Sequence, residues 1–265
     1  MGKMMRSAPV FFTVAQVRFN TILSLASYVP AIQEHFRRNG FPDFKKGVTM
    51  TFNLTPLVQE QKNEAQAPAP VPIERYVFSN LDNTMNFILE QSSIAFQATE
   101  YQTFEVFGGH LLQGLELLNK TIGLSFLERI GVRYLDAVMP RGSETLDQYL
   151  IPEVMGLYGK LKGQAQYSFS ETQTEGPEGF VVSRTVIQRG QIGFPPDLIQ
   201  LMTLKVQQRF EQFRGVHAII DTDAFVMGRI AFDLAEAKRR LHTLHDRTDE
   251  SFRGTVTEYA IAAWE

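Results

Sequence analysis

The chain has 265 residues, 26 Lys and Arg against 29 Asp and Glu, a formal net charge of −3 and 44% hydrophobic residues. This is the composition of an ordinary globular protein, long enough to bury a full core without disulfides or structural metal, and its mild acidity argues against a protein devoted to nucleic acid. The absence of cysteine excludes disulfides, thiol nucleophiles, iron–sulfur clusters and Cys-based zinc sites together.

Residues 1–7 read as a short arm with Lys3 and Arg6 in solvent. The arm carries no sustained apolar run of a signal peptide, and no stretch approaches the ~18 apolar residues of a membrane span. The expectation is a cytoplasmic protein with no membrane insertion. Pro9 to Asn20 reads as a strand: Phe11, Thr13, Ala15, Val17 and Phe19 make an apolar or small face, while the opposite face turns polar at Gln16 and Arg18. Leu25, Val29, Ile32 and Phe36 recur at helical spacing, predicting a helix over 25–39 that stops at Gly40. Val48 to Leu54 alternates as a strand, and the polar, then Pro-rich, stretch Leu57 to Pro72 reads as a loop. Arg75 to Gln97 reads as a strand meander turning at Leu81 to Asn83. Thr103 to Lys120 is the clearest helix, with a stripe of Phe104, Phe107, Leu111, Leu115 and Leu118. Gly108 and Gly109 sit inside it at about 1 kcal/mol each relative to Ala, which close packing on a sheet would explain.

A similar order follows. Leu127 to Val138 reads as a strand, Thr145 to Leu161 as a helix, and Gln164 to Glu171 and Phe180 to Arg189 as strands. Leu198 to Phe213 has helical spacing, although 198–206 also suits extended chain. Gly215 to Val226 reads as a strand, and a long helix starts near Asp233 with a break at Asp246 to Asp249. Val14 to Phe19, VAQVRF, matches Arg129 to Tyr134, RIGVRY, in its Val, Arg and aromatic positions. The expected fold is therefore α+β: two similar halves, 1–123 and 124–265, each strand, helix, antiparallel strands and helix, forming a pseudo-twofold body.

The opening APVFFTVAQVRFN, the central ERIGVRYLDAV, the strand HAIIDTDAF and the pattern from His242 through Phe252 together resemble an uncharacterised, sporadically distributed family of bacterial and archaeal proteins of about this length. That family has no established activity, so the resemblance implies no catalytic residues. Its patchy distribution implies mobile loci such as phage-defence or toxin–antitoxin systems.

No P-loop, dinucleotide-binding glycine motif, nucleophile elbow or HExxH motif occurs. Asp221 and Asp223 are the best acidic pair, since alternate strand positions share a face and could share a divalent cation, but no third ligand is evident. His242 and His245 stand one helical turn apart, a spacing that metal sites use; a polar helix face is the simpler account. Arg18 and Arg133 occupy matching places in the two copies and suit either an anionic ligand or structural ion pairs. Tyr259 and Trp264 suit either docking on the chain's own sheet or anchoring a partner. The basic strip Lys238 to Arg240 is interleaved with acids, so a solvated face is expected. The expected function is a non-enzymatic recognition or adaptor subunit binding a protein encoded nearby, or a second copy of itself, without a cofactor. The alternatives are a module for a small apolar or anionic ligand held between sheet and helices, and a metal-dependent enzyme using Asp221 and Asp223.

Overall fold

Nine antiparallel strands form one sheet in the order β2-β3-β4-β5-β1-β6-β9-β8-β7. Their ranges are β1 (Val10–Phe19), β2 (Asp43–Thr51), β3 (Val71–Ser79), β4 (Met85–Glu90), β5 (Ser93–Ala98), β6 (Phe126–Val138), β7 (Tyr167–Gly176), β8 (Gly179–Gly190) and β9 (Gly215–Ala231). The structure is a computed structural model that describes residues 7–51, 71–199 and 202–265. The arm at 1–6, the expected strand end at 52–54, residues 57–70 of the loop expected over 57–72 and positions 200–201 lie outside the described residues, while Val71 and Pro72, expected in that loop, already pair in β3 with β2. The fold class is mixed α+β, with eight helices among the described residues.

Sheet alternation places the core. Ala15, Val17 and Phe19 of β1, Ile130, Val132 and Tyr134 of β6, and Phe87, Leu89, Ile94 and Phe96 of β4 and β5 share one buried cluster. Over it lie three amphipathic helices, α1 (Leu25–Arg38), α2 (Phe104–Ile122) and α7 (Leu234–Thr255), each burying the stripe of a 3.6-residue repeat. Thr103 caps α2, its side chain accepting from the Val106 N–H, and Gly123 ends it at φ 77°. Asp233 caps α7 by accepting from the N–H groups of Ala235 and Glu236, and the helix runs unbroken through 246–249, where a break was expected. α8 (Glu258–Trp264) closes the chain, with Trp264 buried beside Tyr149, Phe252 and Val256. No described helix is long and apolar enough to cross a membrane.

The centre of the sheet is the pairing of β1 with β6, which sets Val14 opposite Arg133, Gln16 opposite Gly131 and Arg18 opposite Arg129. Five strands lie on the β1 side of this seam and four on the β6 side.

Two predicted helices are not continuous. Thr145–Leu161 yields only two short turns, α3 (Leu146–Tyr149) and α4 (Pro152–Met155), with Leu150 extended between them and bridged to Val256. Pro152 has no N–H and drives its predecessor out of helical conformation, so it starts α4 instead of continuing α3. Likewise 198–213 yields α5 (Pro196–Ile199) and α6 (Gln208–Glu211). Between them the Lys205 N–H donates to the Asn83 carbonyl at 2.7 Å, and the Asn83 amide donates to the Thr203 carbonyl at 2.6 Å. Those long-range bonds satisfy backbone groups that a helix would have used internally. β2 also starts earlier than the predicted strand, at Asp43, because it pairs with β3 from Asp43 opposite Ser79.

The close approach of α2 to the sheet falls on neither Gly108 nor Gly109. A Cβ at Gly114 would stand 2.7 Å from Phe87 and 2.9 Å from Ile94, whereas one at Gly109 would meet nothing within 4 Å. Urea denaturation should therefore find Gly109→Ala stabilised by roughly 0.4–1 kcal/mol through helix propensity. Gly114→Ala should be destabilised by about 1–3 kcal/mol through overpacking.

Candidate functional site

The residues expected to carry function divide between the two faces of the sheet. On the face away from α1, α2 and α7, Arg133 is bidentate to Asp221 at 2.6 and 2.7 Å and reaches Asp197 at 2.5 Å. Burial opposes its charge, but the hydrogen bonds to Asp221 and Asp197 prevail and raise its pKa. Arg184 adds a second contact to Asp221 at 3.5 Å. Arg129 lies 3.8 Å from Asp223, donates to Gln16 at 3.3 Å and stacks over Phe225. Burial raises the Asp223 carboxyl, against the pull of Arg129. Asp221 thus accepts from the Arg133 donors, which take lone pairs a cation would use, while Asp223 faces the Arg129 charge at 3.8 Å. No group of three or more metal-ligating side chains exists among the described residues. A buried ion-pair set of this kind is costly to break at one member and holds strands in register.

Arg18 is exposed and stands opposite Arg129, so the two expected arginines, Arg18 and Arg133, do not converge. Trp264 lies in the chain's own core, and the Tyr259 hydroxyl donates to Glu144 at 2.8 Å. Within the basic strip of α7, Arg239 and Arg240 both bind Glu236. His242 and His245 do not converge either: the Phe104 ring stacks on His245 at 4.1 Å and meets His242 edge-on at 5.0 Å.

That stacked His245 leads to a second cluster, on the helix-covered face. A cleft of about 450 Å³ opens between the sheet, the first turn of α2 and the C-terminal half of α7. Tyr134 and Asp136 of β6 and Thr222 of β9 form its floor; Phe104, His245 and Phe252 form its walls. The Tyr134 hydroxyl lies 3.1 Å from His245 Nδ1 and 3.4 Å from the Tyr101 hydroxyl. Burial lowers the pKa of His245, keeping the ring neutral. The chain is satisfied when Tyr101 donates to Tyr134, Tyr134 donates to Nδ1, and Nε2 carries the ring proton. Burial pushes Tyr101 up to about 12 and Tyr134 upward as well, so both remain phenols.

Asp136 is the exception in this cleft. Its side chain is 7% exposed, and no hydrogen bond or ion pair reaches its carboxyl among the described residues. Burial alone pushes its pKa up to about 8. Below it, the Thr222 hydroxyl is buried without a partner. An unpaired buried carboxyl costs several kcal/mol when ionised, and perturbed carboxyls in clefts concentrate at functional sites.

Neither Asp136 nor the tyrosine–tyrosine–histidine chain was singled out by sequence. The available signal was an acid inside the strand run Tyr134-Leu135-Asp136-Ala137-Val138, at a position whose alternation puts it on the core side with Val132 and Tyr134. Comparison with protein-family models, with curated proteins and with solved structures found no match. The functional reading therefore stands on this geometry.

Asp136 links stability to pH. A carboxyl whose folded pKa lies above its unfolded value of about 3.9 contributes stability that is full below that value and is lost as pH rises toward the folded pKa. Between pH 5 and 8 the wild type should therefore lose stability relative to Asp136→Asn. The change is on the order of 1 kcal/mol per pH unit, read as the difference between urea midpoints across that range. A difference that does not vary with pH would contradict an unpaired buried carboxyl.

Proposed function

We propose that the protein is a non-enzymatic, cytoplasmic recognition protein that holds a small molecule in the cleft between its sheet and helices α2 and α7. The carrying observation is the buried carboxyl of Asp136, without a partner among the described residues and set among aromatic rings in a cleft of about 450 Å³. Volume, apolar walls and a few converging polar groups are the usual features of a small-molecule site. The hydroxyl–imidazole chain of Tyr101, Tyr134 and His245 supplies fixed polar positions, while Phe104 and Phe252 supply contact area.

The two halves, 1–123 and 124–265, are read as copies meeting at the β1–β6 seam. Aligning VAQVRF with RIGVRY makes Gln16 the counterpart of Gly131, and these two residues pair with each other; Val14–Arg133 and Arg18–Arg129 then exchange under the same operation. A twofold axis between Gln16 and Gly131 would produce this register. Four strands, β6 to β9, against five, β1 to β5, make the second copy one strand shorter.

A protein partner is the second reading. Tyr167 and Phe169 are exposed on edge strand β7, and Leu157 and Leu161 are exposed in the segment before it. An edge strand with apolar side chains is a template for strand addition. A place in a defence or toxin–antitoxin locus rests on the family resemblance alone.

The cleft reading is tested with a library of aromatic fragments, neutral and charged, by ligand-observed NMR. Gln102 is exposed at the rim of the cleft, and Gln102→Trp would obstruct it. Fragments should bind the wild type and lose at least tenfold in affinity to Gln102→Trp. Equal binding by both proteins, or no binding to the wild type, would contradict the reading.

A further inference from the structure

We propose that the molecule held in this cleft carries a positively charged nitrogen, set against the Asp136 carboxylate and enclosed by the rings of Tyr101, Phe104, Tyr134 and Phe252. This inference rests on the cleft being a ligand site, and adds the chemical class of the ligand.

The argument is one of charge and ring geometry. Two arginines line the cleft, Arg253 matched by an acid and Arg209 hydrogen-bonded to neutral groups. Arg253 is tied to Asp249 at 2.8 Å, and Arg209 donates to the Ala8 carbonyl at 2.7 Å, bonds Gln207 and stacks over Phe210. His245 is neutral and its Nδ1 is taken by Tyr134. The acids facing the same space are Asp136 from β6, Glu105 from α2 and Asp249 from α7. Glu105 is exposed and bonded at the start of α2, and Asp249 has its arginine, so Asp136 is left as the buried acid without a counter-charge. An anionic ligand beside Asp136 would meet that acid, on whose carboxyl no cation acts among the described residues. A neutral ligand would leave it either ionised and unpaired or protonated. A cationic nitrogen neutralises it and gains in addition from the ring faces, which carry the negative end of the aromatic quadrupole. Phe104 is held in place for this by its stack on His245 and its edge contact with His242. The hydroxyls of Tyr134 and Thr222 offer oxygen acceptors to an N–H of a primary or secondary amine.

Such binding is coupled to the protonation of Asp136. The carboxyl is protonated at neutral pH in the free protein and ionised beside the cation, so binding releases a proton. A permanently charged ligand should bind about tenfold more tightly for each pH unit gained between 6 and 8, and level off above. Burial lowers the pKa of the other titrating neighbour, His245.

Benzylamine, benzyl alcohol, benzoate and benzyltrimethylammonium are the probes, measured against the full-length protein by calorimetry. Both cations should bind at least tenfold more tightly than the alcohol, and benzoate more weakly than the alcohol. Benzyltrimethylammonium at pH 7 should release close to one proton, read from the dependence of heat on buffer. Asp136→Asn should abolish proton release and the preference for cations while still binding benzyl alcohol. The proton count needs no variant, and Phe104→Leu gives a second one, expected to lose several-fold in affinity for benzyltrimethylammonium and little for the alcohol. Binding of the alcohol or benzoate as tightly as the amine, without proton release, would overturn the cation and leave the cleft standing as a ligand site. Absence of binding by all four probes and by the fragment library would remove both.

Discussion

The pairing of β1 with β6 is the constraint on which the remaining structure depends. It joins residues 10–19 to 126–138 across more than a hundred residues of chain, and a slip of one position would turn every side chain of both strands to the opposite face. The register is held on one face by the apolar core under α1, α2 and α7. On the other face Arg129 donates to Gln16 across the seam, and the ion pairs of Arg129 and Arg133 with Asp223 and Asp221 tie β6 to its other neighbour, β9. The same register carries Tyr134 and Asp136 to the helix-covered side and Arg133 to the other, so ion-pair network and cleft are consequences of one alternation.

This arrangement explains why two acids at similar depth in adjacent strands behave differently. Asp221 and Asp136 are both nearly solvent-free, at 2% and 7% exposure. Asp221 has Arg133 bidentate against it and Arg184 nearby, so its charge is matched within the protein. Asp136 faces rings and hydroxyls, and burial moves its pKa instead of an arginine meeting its charge. Charged groups already held by partners, such as Arg253 and Arg209, frame the cleft without supplying the missing counter-charge.

The fold was legible where side-chain period and local chemistry agree. The stripe of Phe104, Phe107, Leu111, Leu115 and Leu118 and the alternation of Ala15, Val17 and Phe19 describe buried faces directly. It was illegible where a long-range bond overrides the local pattern: Asn83 draws 203–205 out of a helical repeat, and Pro152 cuts a run that otherwise keeps helical spacing. The expected sites were chosen for residue type and spacing, and most proved to be committed to partners within the chain. Asp221 and Asp223 meet arginines, His245 a tyrosine and a phenylalanine ring, Trp264 its own core. Asp136 was hidden because one acid in an apolar strand is read as a lapse in the pattern until the structure shows that no described residue pairs with it.

The central claim is that Asp136 is a buried carboxyl without a partner among the described residues. Its side-chain carboxyl carbon, assigned by comparison with Asp136→Asn, can be followed by carbon-13 NMR through a pH titration of the ligand-free protein. The account predicts a midpoint of about 8, set by burial. A midpoint near 4, the range of an ordinary exposed or paired aspartate, would mean that the carboxyl is solvated or already matched, and would contradict the account.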